Sequence, residues 1–446
     1  MSSDLRSSPT PSRPGPLGSA VSALSSVGSV LLGRSARAVS KLRGSGGSAF
    51  PGLVVEKVDP HFLARTLHRL PRGVIVVSGT NGKTTTTKMV VELLRGQGLK
   101  VFTNRSGSNF TRGVVASILG EVRLNGRLDA DIAVLELDEA HAVHFVKAVR
   151  PDHSLLLNVM RDQLDRFGEI DTTAGMLRAI AQHTDQGVVL NREDPRVRAI
   201  AHNLGDQRVD YFGLSESLRS HFPSDDDFHS GPAAAADRPE ADVVLEELTE
   251  AGGRFTLDGE TISTALTVNG AYNTFNAAAA LAVVRQALDE TVDSAALIAS
   301  LAKVSPAFGR GESLTVQGRP LDLVLVKNPS GFRLGLSSFA SSGVATMIAI
   351  NDNYADGRDM SWLWDVEFDS LAEEGVRMIS GVRAYDMALR LKYDDVAFDA
   401  VETDLQAALT RFLDENPDQP ARIFCTYTAM LGLRKQLSAY TEVEAF

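Results

Sequence analysis

The stretch GVIVVSGTNGKTTTTKMVVELL, Gly73 to Leu94, decides the fold. An apolar run leads into two closely spaced glycines, and a helix-forming run follows at once. That order predicts a buried strand, a tight turn and a helix N-terminus, the arrangement that cradles phosphate. Gly79 and Gly82 let the backbone amides of the loop turn inward, because glycine takes torsions that other residues resist. Thr80, Asn81 and Thr85 belong to the same loop. Lys83 is placed to reach the β- and γ-phosphates of a nucleotide, and Thr84 to offer its hydroxyl to Mg²⁺. One departure stands out: position 77, where the common phosphate loop has its first glycine, is valine. A Gly-Lys-Thr triplet also arises by chance; the strand before it and the helix after it favour function. The motif specifies nucleotide phosphate and is silent about the acceptor, since kinases, motors, switches and ligases all begin this way.

Working outward, AVLELDEAH (Ala133 to His141) is a buried strand ending in Glu136, Asp138 and Glu139. A Mg²⁺ ligand belongs at such a strand end, and Glu136 is the strongest candidate. Solvated charge is the competing reading and suits Glu139 better. LNVMRDQLDRFGEID places Asn158 at the end of another strand, with Asp162, Gln163 and Asp165 close behind. These polar groups point to the same crevice, although Asp162 would serve equally as a helix cap. The loop TNRSGSNFTRG offers Asn109 and Arg112 to a ligand, or is plain surface. His141 is expected on a helix surface.

The chain has 446 residues, 43% apolar and 23% charged, with a net charge of −11. Those proportions suit a globular protein of two or three domains, and the acidity excludes general nucleic-acid binding. A single cysteine, Cys425, excludes a disulfide framework and any cysteine-built zinc site, so no zinc site is expected; Cys425 itself reads as a core residue. No stretch reaches the ~20 apolar residues of a membrane span. Residues 1–33 read as a disordered Ser/Pro/Gly tail with room for a short helix. From Gly73 onward apolar runs alternate with helical patterns, which predicts an α/β fold with a mainly parallel sheet. The polar segment at about 216–242 is an insertion, followed by antiparallel strands and the helix TFNAAAALAVVRQALD. The economical division is a central domain over 34–309 and a second α/β domain over 310–446, joined through PAFGRGE (Pro306 to Glu312).

GTNGKTT, NVMRDQLDRFG, LNREDP, GAYNTFNAAAA and FGRGE, in that order, resemble the Mur ligase superfamily, whose members use ATP to convert a carboxylate into an acyl phosphate for attack by an amine. The resemblance implies ATP and Mg²⁺ as cofactors and the Mur-ligase central ATPase fold. It also implies Lys83 at the phosphates, Thr84 and Glu136 as metal ligands, Asn273 and Asn276 near the base, and Arg310 near the ribose or phosphates. Too few residues precede Ser78 for the superfamily's N-terminal UDP-binding domain, and Gln163 stands where its amino-acid ligases carry histidine. Both departures, with LVKNPSGF, INDNYADGRDMSWLWDVEF and SGVRAYDMALRLKY, resemble the MurT branch, ligase-like subunits of lipid II isoglutaminyl synthase. Many members of that branch carry a four-cysteine zinc ribbon, absent from this sequence. The branch implies ATP-dependent amidation of the D-glutamate α-carboxylate in the lipid II stem peptide, using ammonia from a GatD-type glutamine amidotransferase partner. It implies cytoplasmic work at the inner membrane face, and an aspartate that orients the partner's catalytic histidine. Asp359 is the expected one, with Asp356 and Asp365 as alternatives; a solvated turn anchored by Trp362 and Trp364 competes. Arg383, Arg390, Lys392 and Tyr393 suit a phosphate, a partner or a solvated helix face. Rival readings are a stand-alone amino-acid ligase of the folylpolyglutamate type and a non-catalytic ATP-binding scaffold.

Overall fold

A computed structural model describes residues 27–38, 50–104, 110–160, 170–222, 238–249, 252–257, 259–267, 270–289, 292–304, 310–338 and 342–441. Two sheets organise these residues. The first has nine strands: β1 (Val74–Ser78), β2 (Val101–Thr103), β3 (Ile132–Glu136), β4 (His153–Leu156), β5 (Gly187–Asn191), β6 (Arg208–Leu214), β7 (Val243–Thr249), β8 (Gly252–Leu257) and β9 (Glu260–Ala265). Their spatial order is β2-β3-β1-β4-β5-β6-β7-β8-β9. Pairing is parallel from β2 through β7, and β8 and β9 add as antiparallel strands. The chain builds outward from β1 in both directions, so the order reverses there. Loops at the carboxyl ends of β1, β3 and β4 therefore bound one crevice.

The strand interiors explain the layering. Every residue of β1, β3 and β5 is buried, as continuous apolar runs require when helices cover both faces. One face carries α4 (Lys83–Gly96), α8 (Ala271–Leu288) and α9 (Ser294–Leu301). Ala277 to Ala280 and Ala282 are buried, and their small side chains let α8 lie close against its neighbours. The other face carries α5 (Thr111–Glu121), α6 (Glu139–Ala148) and α7 (Ile170–Gln182), with α1 (27–38), α2 (Phe50–Val58) and α3 (Phe62–Leu67) packed outside. Residues 27–33, in the segment read as a disordered tail with room for a short helix, are helical. Val30 is buried, Ser29 donates to Asp59, and Arg34 donates to the Val122 carbonyl at 2.6 Å.

The second sheet comprises β10 (Arg310–Val316), β11 (Arg319–Leu325), β12 (Ala345–Ala349), β13 (Val376–Ser380), β14 (Phe398–Glu402) and β15 (Ala421–Cys425), ordered β10-β11-β15-β12-β13-β14. Only the β10–β11 hairpin is antiparallel. Helices α10 (Pro329–Ser338), α11 (Ala384–Tyr393), α12 (Leu405–Glu415) and α13 (Tyr427–Leu437) flank it, with separate apolar clusters on its two faces. Cys425 ends β15 fully buried, its thiol pKa pushed up by burial, which is the core role expected of it.

Candidate active site

The phosphate loop starts two residues later than the common spacing places it, at Gly79 rather than at position 77. Val77 and Ser78 still belong to β1, where Val77 pairs with Glu136 and Leu155, so a glycine at 77 would weaken a central strand. Gly79 (φ +134°) begins the turn and Gly82 (φ +87°) caps α4 in the left-handed region. A side chain at 82 would also strike the Asn276 amide, 2.7 Å from where its Cβ would sit. Asn158, at the end of β4, braces the loop: its amide accepts from the Asn81 N–H at 2.8 Å and donates to the Asn81 carbonyl at 3.1 Å. The Thr80 N–H donates to the Asn158 carbonyl at 2.9 Å.

Lys83 is buried at the helix start, donating to the Gly79 carbonyl and, at 3.2 Å each, to the Thr80 carbonyl and Glu139. Glu139 is itself buried, so it does not fit the solvated charge expected of it; it is the counter-ion of the loop lysine. The Thr84 hydroxyl donates to the Glu136 carboxylate at 2.8 Å. Glu136 is aimed by Asn104, at the end of β2, whose side chain bonds both its backbone N–H and its carbonyl at 2.9 Å. Thr84 and Glu136 thus offer two adjacent oxygens, the donor type a hard divalent cation takes alongside phosphate oxygens and water. Asp194, of the LNREDP motif, accepts from the backbone of Val159, Arg196 and Val197. Burial pushes its carboxyl up to about 6 against those donors.

The cleft beside the loop lies between the two sheets. Thr80, Gly82, Lys83, Thr85, Asn158, Asn273 and Asn276 line one wall; Leu325, Lys327, Gly331, Leu334 and Ser338 line the other. The walls touch. Lys327 donates to the Thr80 carbonyl at 3.0 Å, and the Asn81 and Asn328 amides exchange hydrogen bonds at 3.0 and 3.3 Å. Lys327 and Asn328 were absent from the sequence-based site. Their signal was a Lys-Asn pair just past a strand end, the position Asn158 holds in the first domain. The side chain of Arg310, and Asn109, Asp162, Gln163 and Asp165, lie outside the described residues. Arg112 does not face the cleft; it pairs with Glu56 at 2.7 Å on the surface. His141 is on α6, its Nδ1 3.4 Å from Asp138.

The three candidate aspartates after β12 differ sharply. Asp356 is buried and committed inward, accepting from the Thr428 backbone and hydroxyl and the Asn353 N–H, with burial raising its pKa. Asp359 is half-buried and accepts the Ser361 N–H at 2.9 Å; Asp365 is exposed. Trp362 is a core anchor against Phe332, whereas Trp364 is 47% exposed and meets the Tyr393 ring edge-on. Arg390 belongs to neither a ligand site nor a solvated face. It is buried, donates to the Leu363 and Val366 carbonyls and pairs with Asp394, so it fastens the tryptophan segment to α11.

Residues 77–284 match the Mur ligase middle domain, and residues 325–430 match the MurT ligase C-terminal domain. A relative described as the MurT subunit of glutamine-hydrolysing lipid II isoglutaminyl synthase from Streptococcus pneumoniae R6 is 30% identical, over 92% of this chain and 96% of its own length. The chain belongs to the MurT family. The MurT subunit of Staphylococcus aureus COL is 25% identical over 91% of this chain and 96% of its own length. In fold, MurF ligase of Thermotoga maritima, solved in complex with ADP, superposes with a TM-score of 0.65 at 18% identity, covering 87% of this chain and 84% of that one. In this MurT-family chain the cysteine-free insertion is tied at its base by ions: Arg238 pairs with Glu193 and, at 2.8 Å, with Glu216.

Proposed function

We propose that this chain is the ATP-dependent ligase subunit of a lipid II isoglutaminyl synthase, amidating the α-carboxylate of stem-peptide D-glutamate with ammonia from a GatD-type glutaminase. The observation that carries the reading is the pairing of a braced lysine loop with a MurT-type second domain across one cleft. A carboxylate resists amines because it is anionic and oxide leaves poorly. Attack of its oxygen on the γ-phosphorus of ATP, with ADP leaving, gives an acyl phosphate; ammonia then adds to the acyl carbon and phosphate departs. Lys83, freed from its loop carbonyls, would neutralise charge growing on the transferred group. Thr84 and Glu136 would hold Mg²⁺, which supplies further charge neutralisation when bound. Asn273 and Asn276, which line the cleft, are assigned to the base, and Arg310 to ribose or phosphate.

Asp359 is the proposed orienter of the partner's histidine, because Asp356 spends its oxygens on Thr428 and Asn353. The partner's proposed seat lies beside it. Tyr385, Leu389 and Tyr393 recur every four residues along α11, each at least half exposed, and Val382 just before them is bonded to Asn351 at the root of the aspartate loop. The test is co-expression with the glutaminase and assay of lipid II amidation with ATP and either glutamine or ammonium. Asp359→Asn should impair the glutamine-driven reaction far more than the ammonium-driven one; equal losses would remove it from that role. Amidation by this chain alone with a free amino acid as nucleophile would favour the stand-alone ligase instead.

A further inference from the structure

The outer N-terminal elements take no part in the proposed chemistry, yet they gather a distinct surface. Among the described residues, every strongly exposed large apolar side chain of the first domain lies on them: Leu31 and Leu32 on α1, Phe50 and Val58 on α2, and Leu124 on the turn after α5. These elements are neighbours. Ser29 of α1 and Arg65 of α3 both bond Asp59, and Arg34 of α1 reaches the Val122 carbonyl where the turn begins.

The turn is a small finger. The Arg123 N–H donates to the Arg127 carbonyl at 2.8 Å, which puts Leu124, 51% exposed, at its tip between two arginines. Arg127 and Arg65 lie close enough to Arg69 to oppose its charge, adding to burial in lowering its pKa. The described residues of α1 to α3 and the finger (27–38, 50–72 and 121–131) hold eight Lys/Arg against five Asp/Glu, in a chain whose net charge is −11. Asp59 serves Arg65, and Asp129 pairs with Arg123 at 3.1 Å. Exposed leucines set among guanidinium groups match an anionic lipid surface: the apolar tips enter below the headgroups while the arginines meet phosphate.

We infer that this face docks the enzyme on an anionic membrane leaflet, with α1 and the Leu124 finger as the points of contact. The inference rests on the reading that the substrate is lipid-borne. Docking of this kind holds the cleft near a substrate confined to two dimensions, without a spanning helix.

The experiment is co-sedimentation of the full chain with its glutaminase on vesicles of phosphatidylglycerol and phosphatidylcholine, and on phosphatidylcholine alone. Wild type should bind the anionic vesicles only, and added salt should release it. Arg123→Glu with Arg127→Glu should weaken binding by about ten-fold or more, and Leu31→Ser with Leu124→Ser should weaken it independently. All four side chains are exposed, and thermal unfolding of each variant checks the fold. Amidation of a water-soluble short-chain substrate should be unchanged in the variants, while amidation of vesicle-borne substrate slows. No binding by wild type, equal binding to both vesicle types, or unaltered binding by both folded variants would overturn the inference. Failure of wild type on both substrates would instead sink the ligase reading and leave the vesicle result standing.

Discussion

Lys83 and Glu139 form a buried pair in which each residue depends on the other. The ammonium is held by two loop carbonyls and one carboxylate, so a nucleotide must compete for it. Truncating the lysine removes the charge that phosphoryl transfer needs, and also strands Glu139 without a counter-ion. Lys83→Ala should therefore lose amidation by a factor on the order of 100 or more and lower stability by about 3 kcal/mol. Adding Glu139→Gln should restore much of the stability and none of the activity. Partner capture should survive in both variants. Equal thermal melting of the single and double mutants would show that the pair contributes nothing to folding. At this scale the sequence was partly readable. Lys83, Thr84 and Glu136 announce themselves by residue type and position at strand or helix ends. Glu139 does not, since burial of a carboxylate depends on what folds over it.

Elements carry a second kind of information. The apolar runs of β1, β3 and β5 were legible because helices on both faces leave no polar position in them. Their order was not: neighbours in the sheet are separated by whole helices in the chain, and parallel pairing writes no local signal. Arg390 shows the same blindness on a helix, where its spacing fits a wet face and its actual partners are carbonyls of a segment some two dozen residues away. Asp194 offers a test at this scale. It caps the one-turn helix Pro195–Arg198 and ties it to Val159 beyond β4. Its folded pKa is raised to about 6 from 3.8. The native chain thus holds this proton more tightly than the unfolded chain, so the associated stability is complete below about pH 4 and lost as pH rises through about 6. Chemical denaturation of wild type and Asp194→Asn at several pH values should show wild type gaining on the variant as pH falls from about 7 to about 5. A difference that stays flat with pH would place the carboxyl's titration elsewhere.

On the scale of the whole molecule, the cleft is complete only where the two sheets meet, and Asn328 is the fully buried joint. Besides pairing with Asn81 it accepts the Gly331 N–H at 2.7 Å. Asn328→Asp keeps that acceptor while setting an anion beside the phosphate loop. It should raise the KM for ATP markedly and lower the thermal unfolding temperature, because a fully buried carboxylate replaces the amide that donated to Asn81. Asn328→Ala should do both, costing about 1–3 kcal/mol for the stranded N–H. An unchanged KM in both variants would uncouple the joint from nucleotide binding. Such a joint is illegible in sequence because its halves are 247 residues apart.

The same joint has a pharmacological consequence. An inhibitor shaped to the first-domain wall alone would compete with nucleotide and nothing else. One bulky enough to part Asn81 from Asn328 would act as a wedge, holding the lobes ajar and denying the reaction its second wall.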